Sequence, residues 1–174
     1  MKISHSIEIG STPEIVFSWL EDPDRARAWM TSVTKTEIMR ETRGKVGTTF
    51  REFVEENGRG TEMRGVVTDF VPKKRLAFYL EGNYNEAEVA FTLEQTREGT
   101  RLTQNSVIQF KGVLRVVGIF LGPFLKKKIL RQSKNEFLAL KNLCEAGPQQ
   151  RHEDTRVEQE SKDLLDTDNG GKDG

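Results

Sequence analysis

The spacing of apolar and polar residues predicts seven strands. Residues 3–9 alternate, and one face of this segment is formed by Ile3, His5, Ile7 and Ile9. Six further strands are predicted at residues 34–41, 48–55, 62–70, 75–81, 86–94 and 101–110. Asn57-Gly58 gives the clearest hairpin signal between them. Because these strands follow one another without intervening helices, the pattern predicts an antiparallel meander.

Two short helices are predicted between the first and second strands. Ser11 is expected to cap the first helix, Pro13 suits its first turn, and Glu14 completes a capping box with Ser11. Asp22-Pro23 predicts the start of the second helix by the same logic. We expect this second helix to carry Trp29 as a buried anchor.

Residues 112–145 are predicted to form one long helix with a weak point. Gly118, Gly122 and Pro123 lie together, and the proline is expected to kink or interrupt the helix. From residue 126 onward the segment is amphipathic. Its apolar stripe contains Leu130, Phe137, Leu140 and Cys144.

The zero net charge of the chain conceals an uneven distribution. Residues 148–174 hold eight acidic and four basic residues, so this tail is acidic and is predicted to be disordered. Residues 1–147 form the predicted domain and are mildly basic, without a dense basic stripe interleaved with aromatic residues. This composition argues against a nucleic-acid partner.

Several properties place the chain among proteins of a reducing compartment. Cys144 is the only cysteine, so no internal disulfide can form. The N-terminal residues resemble the start of a strand, not a signal peptide. No apolar run reaches the roughly 18–20 residues that span a bilayer. We therefore expect a cytoplasmic protein. A monomer and a homodimer both stay open as its oligomeric state.

Landmarks along residues 1–146 resemble the START-like, or Bet v 1-like, superfamily, also called SRPBCC. The resemblance is carried by Ile7-Glu8-Ile9, Pro13-Glu14-Ile15-Val16-Phe17, Asp22-Pro23, Trp29, Gly47, Val67, Pro72, Gly99-Thr100-Arg101-Leu102-Thr103, Leu140, Leu143 and Glu145. The branch that it resembles is that of polyketide cyclase/dehydrase and lipid transport proteins. The resemblance implies an α+β helix-grip fold, in which a seven-stranded curved antiparallel sheet wraps around the C-terminal helix. An apolar cavity lies between sheet and helix in this family.

The resemblance implies that the protein binds a hydrophobic small molecule, such as a lipid or polyketide, for transport or sensing. The predicted apolar cavity walls are Trp19, Leu76, Phe78, Leu80, Val89, Phe91, Leu93, Phe110, Phe120, Phe124 and Phe137. Gln104 and Ser106 share the face of Leu102, so they are predicted to contact polar atoms of the ligand. Hydrogen bonds from these two side chains to helix backbone or water are the alternative.

No metal or other cofactor is expected. His5 is the only histidine outside the tail, and a lone histidine without a partner motif does not form a usual metal site. A satisfied core or edge histidine is the simpler interpretation. The sequence has no nucleophile elbow, phosphate-binding loop or dinucleotide fingerprint.

A cyclase or aromatase acting on a polyketide-like substrate remains an alternative function. Such an enzyme needs an acid or base inside the cavity. The candidates are His5, Glu52, Arg64, Tyr79 and Tyr84. A solvated sheet face is the simpler interpretation of the charged candidates.

Residues 113–131, from the apolar Val113 to the basic Arg131, support a third interpretation. The apolar stretch 113–125 is followed by Lys126, Lys127 and Lys128. Apolar residues beside a basic cluster are typical of segments that rest on anionic lipid. A cavity lid or ordinary core packing is the alternative for the apolar stretch.

Overall fold

Residues 1–56 and 58–146 are described by the computed structural model, without the side chains of Glu56, Arg59 and residues 113–121. The strands in this part of the chain are β1 (Lys2–Ile9), β2 (Val33–Arg40), β3 (Thr49–Glu56), β4 (Arg59–Val71), β5 (Arg75–Gly82), β6 (Asn85–Gln95) and β7 (Thr100–Phe110). The helices are α1 (Pro13–Glu21), α2 (Pro23–Ala26) and α3 (Val113–Glu145). Each predicted strand is confirmed to within three residues at either end.

The seven strands form one curved antiparallel sheet in the order β1-β7-β6-β5-β4-β3-β2. Strands β2 to β7 follow one another as hairpins, and β1 pairs with β7 at the opposite edge from β2. The chain therefore passes from one edge of the sheet to the other through α1 and α2. Glu56 pairs with Arg59, so β3 and β4 form the predicted hairpin, and Asn57 of its predicted turn lies outside the described residues.

The predicted cap of α1 is wrong. Thr12, not Ser11, is the N-cap residue, and its side chain caps no backbone N–H. The Ser11 hydroxyl instead donates to the carbonyl oxygen of Cys144 at 2.8 Å. The last carbonyls of a helix lack intrahelical partners, so this bond satisfies one of them at the end of α3. Ser11 therefore joins the C-terminus of α3 to the connection between β1 and α1.

Helix α2 is shorter than predicted and does not carry Trp29. The Asp22 carboxylate caps it as expected, accepting hydrogen bonds from two backbone N–H groups. The helix ends at Ala26, and backbone bonds of the i to i+3 type then continue the chain as tight turns. The prediction of a buried anchor is confirmed, since Trp29 is buried and its indole nitrogen donates to the carbonyl of Trp19 at 3.2 Å.

Helix α3 continues through Pro123, so an interruption at this point is wrong. Inside a helix, a proline ring crowds the carbonyl four residues before it and also the backbone N–H and Cβ of the preceding residue. Gly122 precedes Pro123 and has no Cβ, which removes part of this clash.

The largest core cluster joins α1, α3 and the β1–β7–β6 part of the sheet. Its fully buried side chains include Ile9, Val16, Leu102, Phe137 and Leu140. Residues 1–144 form one compact unit, and the predicted acidic tail lies outside the described residues. Among the described residues, no helix combines the length and apolar character needed to cross a membrane.

Candidate functional site

The inner face of the sheet and the α1–α2 segment enclose a cavity of about 180 Å³. The sheet contributes aromatic and aliphatic walls, namely Phe50, Val67, Phe70, Leu76, Phe78 and Phe91. The segment from α1 to the residues after α2 contributes Leu20, Pro23, Ala26, Trp29 and Met30. Apolar walls of this kind favour an apolar occupant.

The cavity reaches the protein surface beside the loop between β2 and β3. Glu21, Ile38, Glu41 and Lys45 belong to its lining and are exposed, so they form its mouth. Lys45 pairs with Glu41, and the ammonium lowers the pKa of the Glu41 carboxyl through their hydrogen bond. Two carboxylates and one ammonium therefore give the mouth a net negative charge.

The volume of the cavity limits what it can hold in this conformation. An engineered protein cavity of about 150 Å³ accommodates benzene, whereas drug-sized ligands occupy pockets of about 300–1,000 Å³. A cavity of about 180 Å³ therefore matches a single ring and its substituent. A whole lipid or polyketide needs the mouth to widen or part of the ligand to remain outside.

Three of the predicted wall residues line this cavity. Leu76 and Phe78 lie on β5, and Phe91 lies on the neighbouring β6. Leu76 is the cross-strand partner of Phe91, which brings the two side chains together on the inner face. Alternation along β5 then places Phe78 on the same face.

Most of the other predicted wall residues pack in the core without lining the cavity. Leu93 and Phe137 are buried in the largest cluster, and Leu80 is buried in a second cluster with Phe50. Val89 packs against both clusters, and Trp19 packs against the largest one. Phe137 fills the space beside Phe91, with ring centroids 6.3 Å apart.

The remaining predicted walls lie toward the start of α3. Phe110 is half-buried at the end of β7 and is not part of the cavity lining. Phe124 is 84% exposed, so it points away from the core. The side chain of Phe120 lies outside the described residues.

Gln104 and Ser106 take part in hydrogen bonds within the protein and do not line the cavity. The Ser133 hydroxyl of α3 donates to the Gln104 carbonyl oxygen at 2.8 Å. The Gln104 amide nitrogen donates to the Ser106 hydroxyl at 3.2 Å. Neither bond goes to helix backbone or water, the partners named in the alternative: Gln104 accepts from a side chain of α3, and Ser106 accepts from Gln104. Their contact with a ligand stays a prediction.

Four of the five acid–base candidates lie outside the cavity lining. Arg64 and Tyr84 are exposed, and the Tyr79 hydroxyl interacts with Glu86, whose hydrogen bond raises the tyrosine pKa. His5 packs against Phe137 with the two rings tilted and their centroids 5.2 Å apart. Its pKa is lowered by burial and, to a smaller extent, by the charge of Lys134.

Glu52 is the exception, since its carboxyl is buried and lines the cavity. Its cross-strand partners are Thr36 on β2 and Met63 on β4. Burial raises the pKa of this carboxyl from 4.5 to about 7. Glu52 therefore exchanges a proton near neutral pH while facing an apolar space.

The predicted set of wall residues omitted Glu52, although the sequence contains a signal for its orientation. Apolar residues occur at even-numbered and odd-numbered positions of this strand, as Phe50 and Phe53 show. Alternation alone therefore does not determine which face of the strand points inward. Gly65 lies opposite Phe50, and a Cβ added there would lie 2.2 Å from the Phe50 ring. The β3–β4 register therefore places Gly65 opposite the Phe50 ring, which occupies the space that a Cβ would need. Phe50 points inward, and Glu52 lies on the same face of β3.

The described residues contain no group of three or more histidine, cysteine, aspartate or glutamate side chains that could hold a metal ion. Cys144 is buried in the largest core cluster, away from the cavity lining.

Solved structures with similar folds cover most of the chain. TTHA0849 from Thermus thermophilus is 16% identical, with a TM-score of 0.71 over 84% of this chain and 98% of that chain. A START superfamily protein from Mycobacterium smegmatis is 18% identical, with a TM-score of 0.70 over 83% and 97% of the two chains. At these identities the likeness shows the fold alone.

A third structure is the di-domain ARO/CYC StfQ from the steffimycin biosynthetic pathway. It is 13% identical, with a TM-score of 0.71, and the match covers 83% of this chain and 51% of that chain. No protein with a curated description matches the chain.

The amino-acid sequence, in contrast to the structural likeness, identifies the family. The model of the family described as "Polyketide cyclase / dehydrase and lipid transport" matches residues 1–145, which include every strand and helix of the fold. The resemblance inferred from the landmarks is thereby confirmed, and the chain belongs to the polyketide cyclase / dehydrase and lipid transport family.

Proposed function

We propose that this protein binds a hydrophobic small molecule in the cavity between α1–α2 and the β2–β6 part of the sheet. The observation that carries the proposal is the apolar cavity of about 180 Å³, whose walls come from both the sheet and the helical segment. The family membership supports the same function at a coarser level. Binding without chemical change, as in transport or sensing, needs nothing beyond these walls.

Native mass spectrometry of the protein purified from its own host tests this proposal. Ala26 lines the cavity, whereas Ala28 is exposed just beyond α2. The variant Ala26→Leu reduces the space, and Ala28→Leu adds the same atoms outside it. We expect a retained apolar molecule on the wild type and on Ala28→Leu, but not on Ala26→Leu. Equal retention by both variants, or none by the wild type even with added ethylbenzene, would contradict the proposal.

An enzymatic function is a second candidate because Glu52 lies in the cavity. Cyclisation and dehydration of a polyketide-like substrate require proton transfer, and a general acid or base works best when its pKa lies near the working pH. The buried Glu52 carboxyl, with its pKa raised to about 7, meets this requirement.

Exchange of the methyl protons of acetophenone in D₂O tests the enzymatic candidate. Removing such a proton requires a base beside the carbon atom, so catalysis by Glu52 predicts exchange faster than in buffer. The rate should fall to the buffer rate in Glu52→Gln, which cannot act as a base. Equal rates with the wild type and the variant would remove this candidate.

Contact with a membrane through residues 113–131 would give the proposed carrier access to a lipid-borne ligand. Phe124 is exposed, and Lys126, Lys127 and Lys128 follow it as exposed side chains. An exposed ring beside positive charges suits the surface of an anionic bilayer. Co-sedimentation with phosphatidylserine vesicles should weaken when the three lysines are replaced by glutamine. Unchanged co-sedimentation would contradict the electrostatic contribution.

A further inference from the structure

Away from its charged mouth, the cavity lining contains three polar side chains, Thr36, Thr48 and Glu52. The Thr48 hydroxyl is held by hydrogen bonds with Thr42, which leaves Thr36 and Glu52 as a polar patch on the β2–β3 wall. Thr36 and Glu52 are cross-strand partners, and both line the cavity. Directly opposite residues in an antiparallel pair place their side chains about 5 Å apart on one face. Phe50, two residues before Glu52, and Ile38, two residues after Thr36, continue the same face with apolar groups. The patch therefore offers an otherwise apolar ligand one place for a polar atom.

Glu52 has no hydrogen-bond partner among the described residues, although its side chain is buried. Its neighbour Arg51 faces the other side of the sheet, where it donates to Glu37 at 2.8 Å. A buried carboxyl without a partner is costly, particularly in its charged form. Burial accordingly favours the neutral form of Glu52, which carries one O–H donor.

Other charged groups around the cavity do not offset a charge on Glu52. From α1 the lining includes Glu21, and from the β2–β3 loop it includes Glu41 and Lys45. These three side chains are exposed at the mouth, and Lys45 pairs with Glu41. The described lining from β4, β5 and β6 contains no titratable group.

We propose that the cavity selects an uncharged, ring-sized molecule whose oxygen acceptor receives a hydrogen bond from the Glu52 carboxyl. This inference rests on the binding function proposed above and adds the chemical class of the ligand. The cavity volume limits the ligand to about one ring, and the O–H donor of neutral Glu52 calls for an acceptor atom on the ligand. A ligand carboxylate would pass a negatively charged mouth and meet a second carboxyl in an apolar space. An ammonium ligand would require a desolvated ion pair, which is costly in such surroundings.

Four one-ring probes test this selection by NMR titration of the whole protein at pH 5.5 and pH 8.5. Ethylbenzene provides the apolar body alone, acetophenone adds one oxygen acceptor, benzoate is an anion, and benzylamine is a cation. We expect acetophenone to bind the wild type about 3- to 10-fold more weakly at pH 8.5 than at pH 5.5, because the ionised carboxyl loses its donor. Ethylbenzene should show the smaller change with pH.

Two variants separate the hydrogen bond from the apolar cavity. Glu52→Gln retains a donor that does not titrate, so acetophenone should bind it with nearly the same affinity at both pH values. Glu52→Leu lacks a donor, so it should bind acetophenone about 3- to 10-fold more weakly than the wild type at pH 5.5 while retaining ethylbenzene. Retention of ethylbenzene also shows that the variant is folded with its cavity intact.

The outcomes distinguish a failure of this inference from a failure of the proposed function. If ethylbenzene binds but the affinity for acetophenone is unchanged by pH and by Glu52→Leu, the hydrogen bond is refuted and the binding function stands. Tightest binding of benzoate or benzylamine would also overturn the inference. If no probe binds, the proposed function fails, and the selection of a ligand fails with it.

Discussion

The two ends of the sheet's inner face differ in how completely they are filled. At the β1–β7 end, Phe137 and Leu140 of α3 pack with Leu102 so that none of the three is exposed. At the other end, from β2 to β5 with Phe91 of β6, the α1–α2 segment covers the sheet incompletely and leaves the cavity. Close packing at one end stabilises the fold, and the cavity at the other end provides space for a ligand. Stability and binding are therefore expected to respond to different substitutions.

The largest expected effect comes from opening a void at the filled end. Phe137→Ala removes a fully buried ring and should lower the free energy of unfolding by about 3–5 kcal/mol. Phe78→Ala removes a half-buried ring that already borders the cavity, so it should cost less than Phe137→Ala. Urea denaturation of the two variants measures both values. Equal losses would show that the two ends are packed alike.

The buried carboxyl makes the cavity end sensitive to pH. The folded-state pKa of Glu52 is raised to about 7 from 4.5, so the folded protein binds more protons than the unfolded chain between these values. The favourable contribution is complete below pH 4.5 and is lost as the pH rises through 7. A shift of this size corresponds to about 3 kcal/mol.

Urea denaturation between pH 5 and pH 8 measures this loss. Glu52→Gln should abolish this part of the pH dependence, and it should leave the slope contributed by other groups. A pH profile shared by the wild type and Glu52→Gln would contradict the assignment of the titration to the cavity.

A medium effect is expected from the hydrogen bonds between β7 and α3. Ser133→Ala leaves the Gln104 carbonyl oxygen without its helical donor and should cost about 1–3 kcal/mol. The same variant should bind ethylbenzene as the wild type does, because Gln104 and Ser133 do not line the cavity. Urea denaturation and NMR titration check the two statements separately. Altered binding would favour the original prediction that Gln104 contacts the ligand.

The smallest expected effect lies at the mouth. The Lys45–Glu41 pair is exposed, and exposed ion pairs contribute little to stability because water screens them. Lys45→Gln should leave the midpoint of urea denaturation unchanged within error. A large destabilisation would show that the β2–β3 loop contributes to packing in addition to forming the mouth.

Local sequence patterns predicted the strands and the family accurately for a physical reason. Alternation and turn residues depend on neighbours close in sequence, and the pairing of β3 with β4 follows from them. The cap at Ser11 was mispredicted because its actual partner is Cys144, 133 residues away. Short-range capping rules cannot include such a partner.

The position of the cavity was harder to predict than the fold. The inward faces of β5 and β6 were identified, but which inward side chains border empty space depends on where α3 fills the sheet. Phe137 of α3 packs against Phe91, which also borders the cavity, whereas Leu93, two residues further along β6, is buried in the largest cluster. The orientation of Glu52 required the pairing of Phe50 with Gly65, which combines two strands.

The most direct test of the binding function is a titration of the protein with ethylbenzene, followed through labelled isoleucine, leucine and valine methyl groups. The cavity predicts saturable shifts that are largest at Ile38, Val67 and Leu76, which line it. Leu102 and Leu140, at the filled end, should change little. An absence of saturable shifts, or the largest shifts at Leu102 and Leu140, would contradict binding in this cavity.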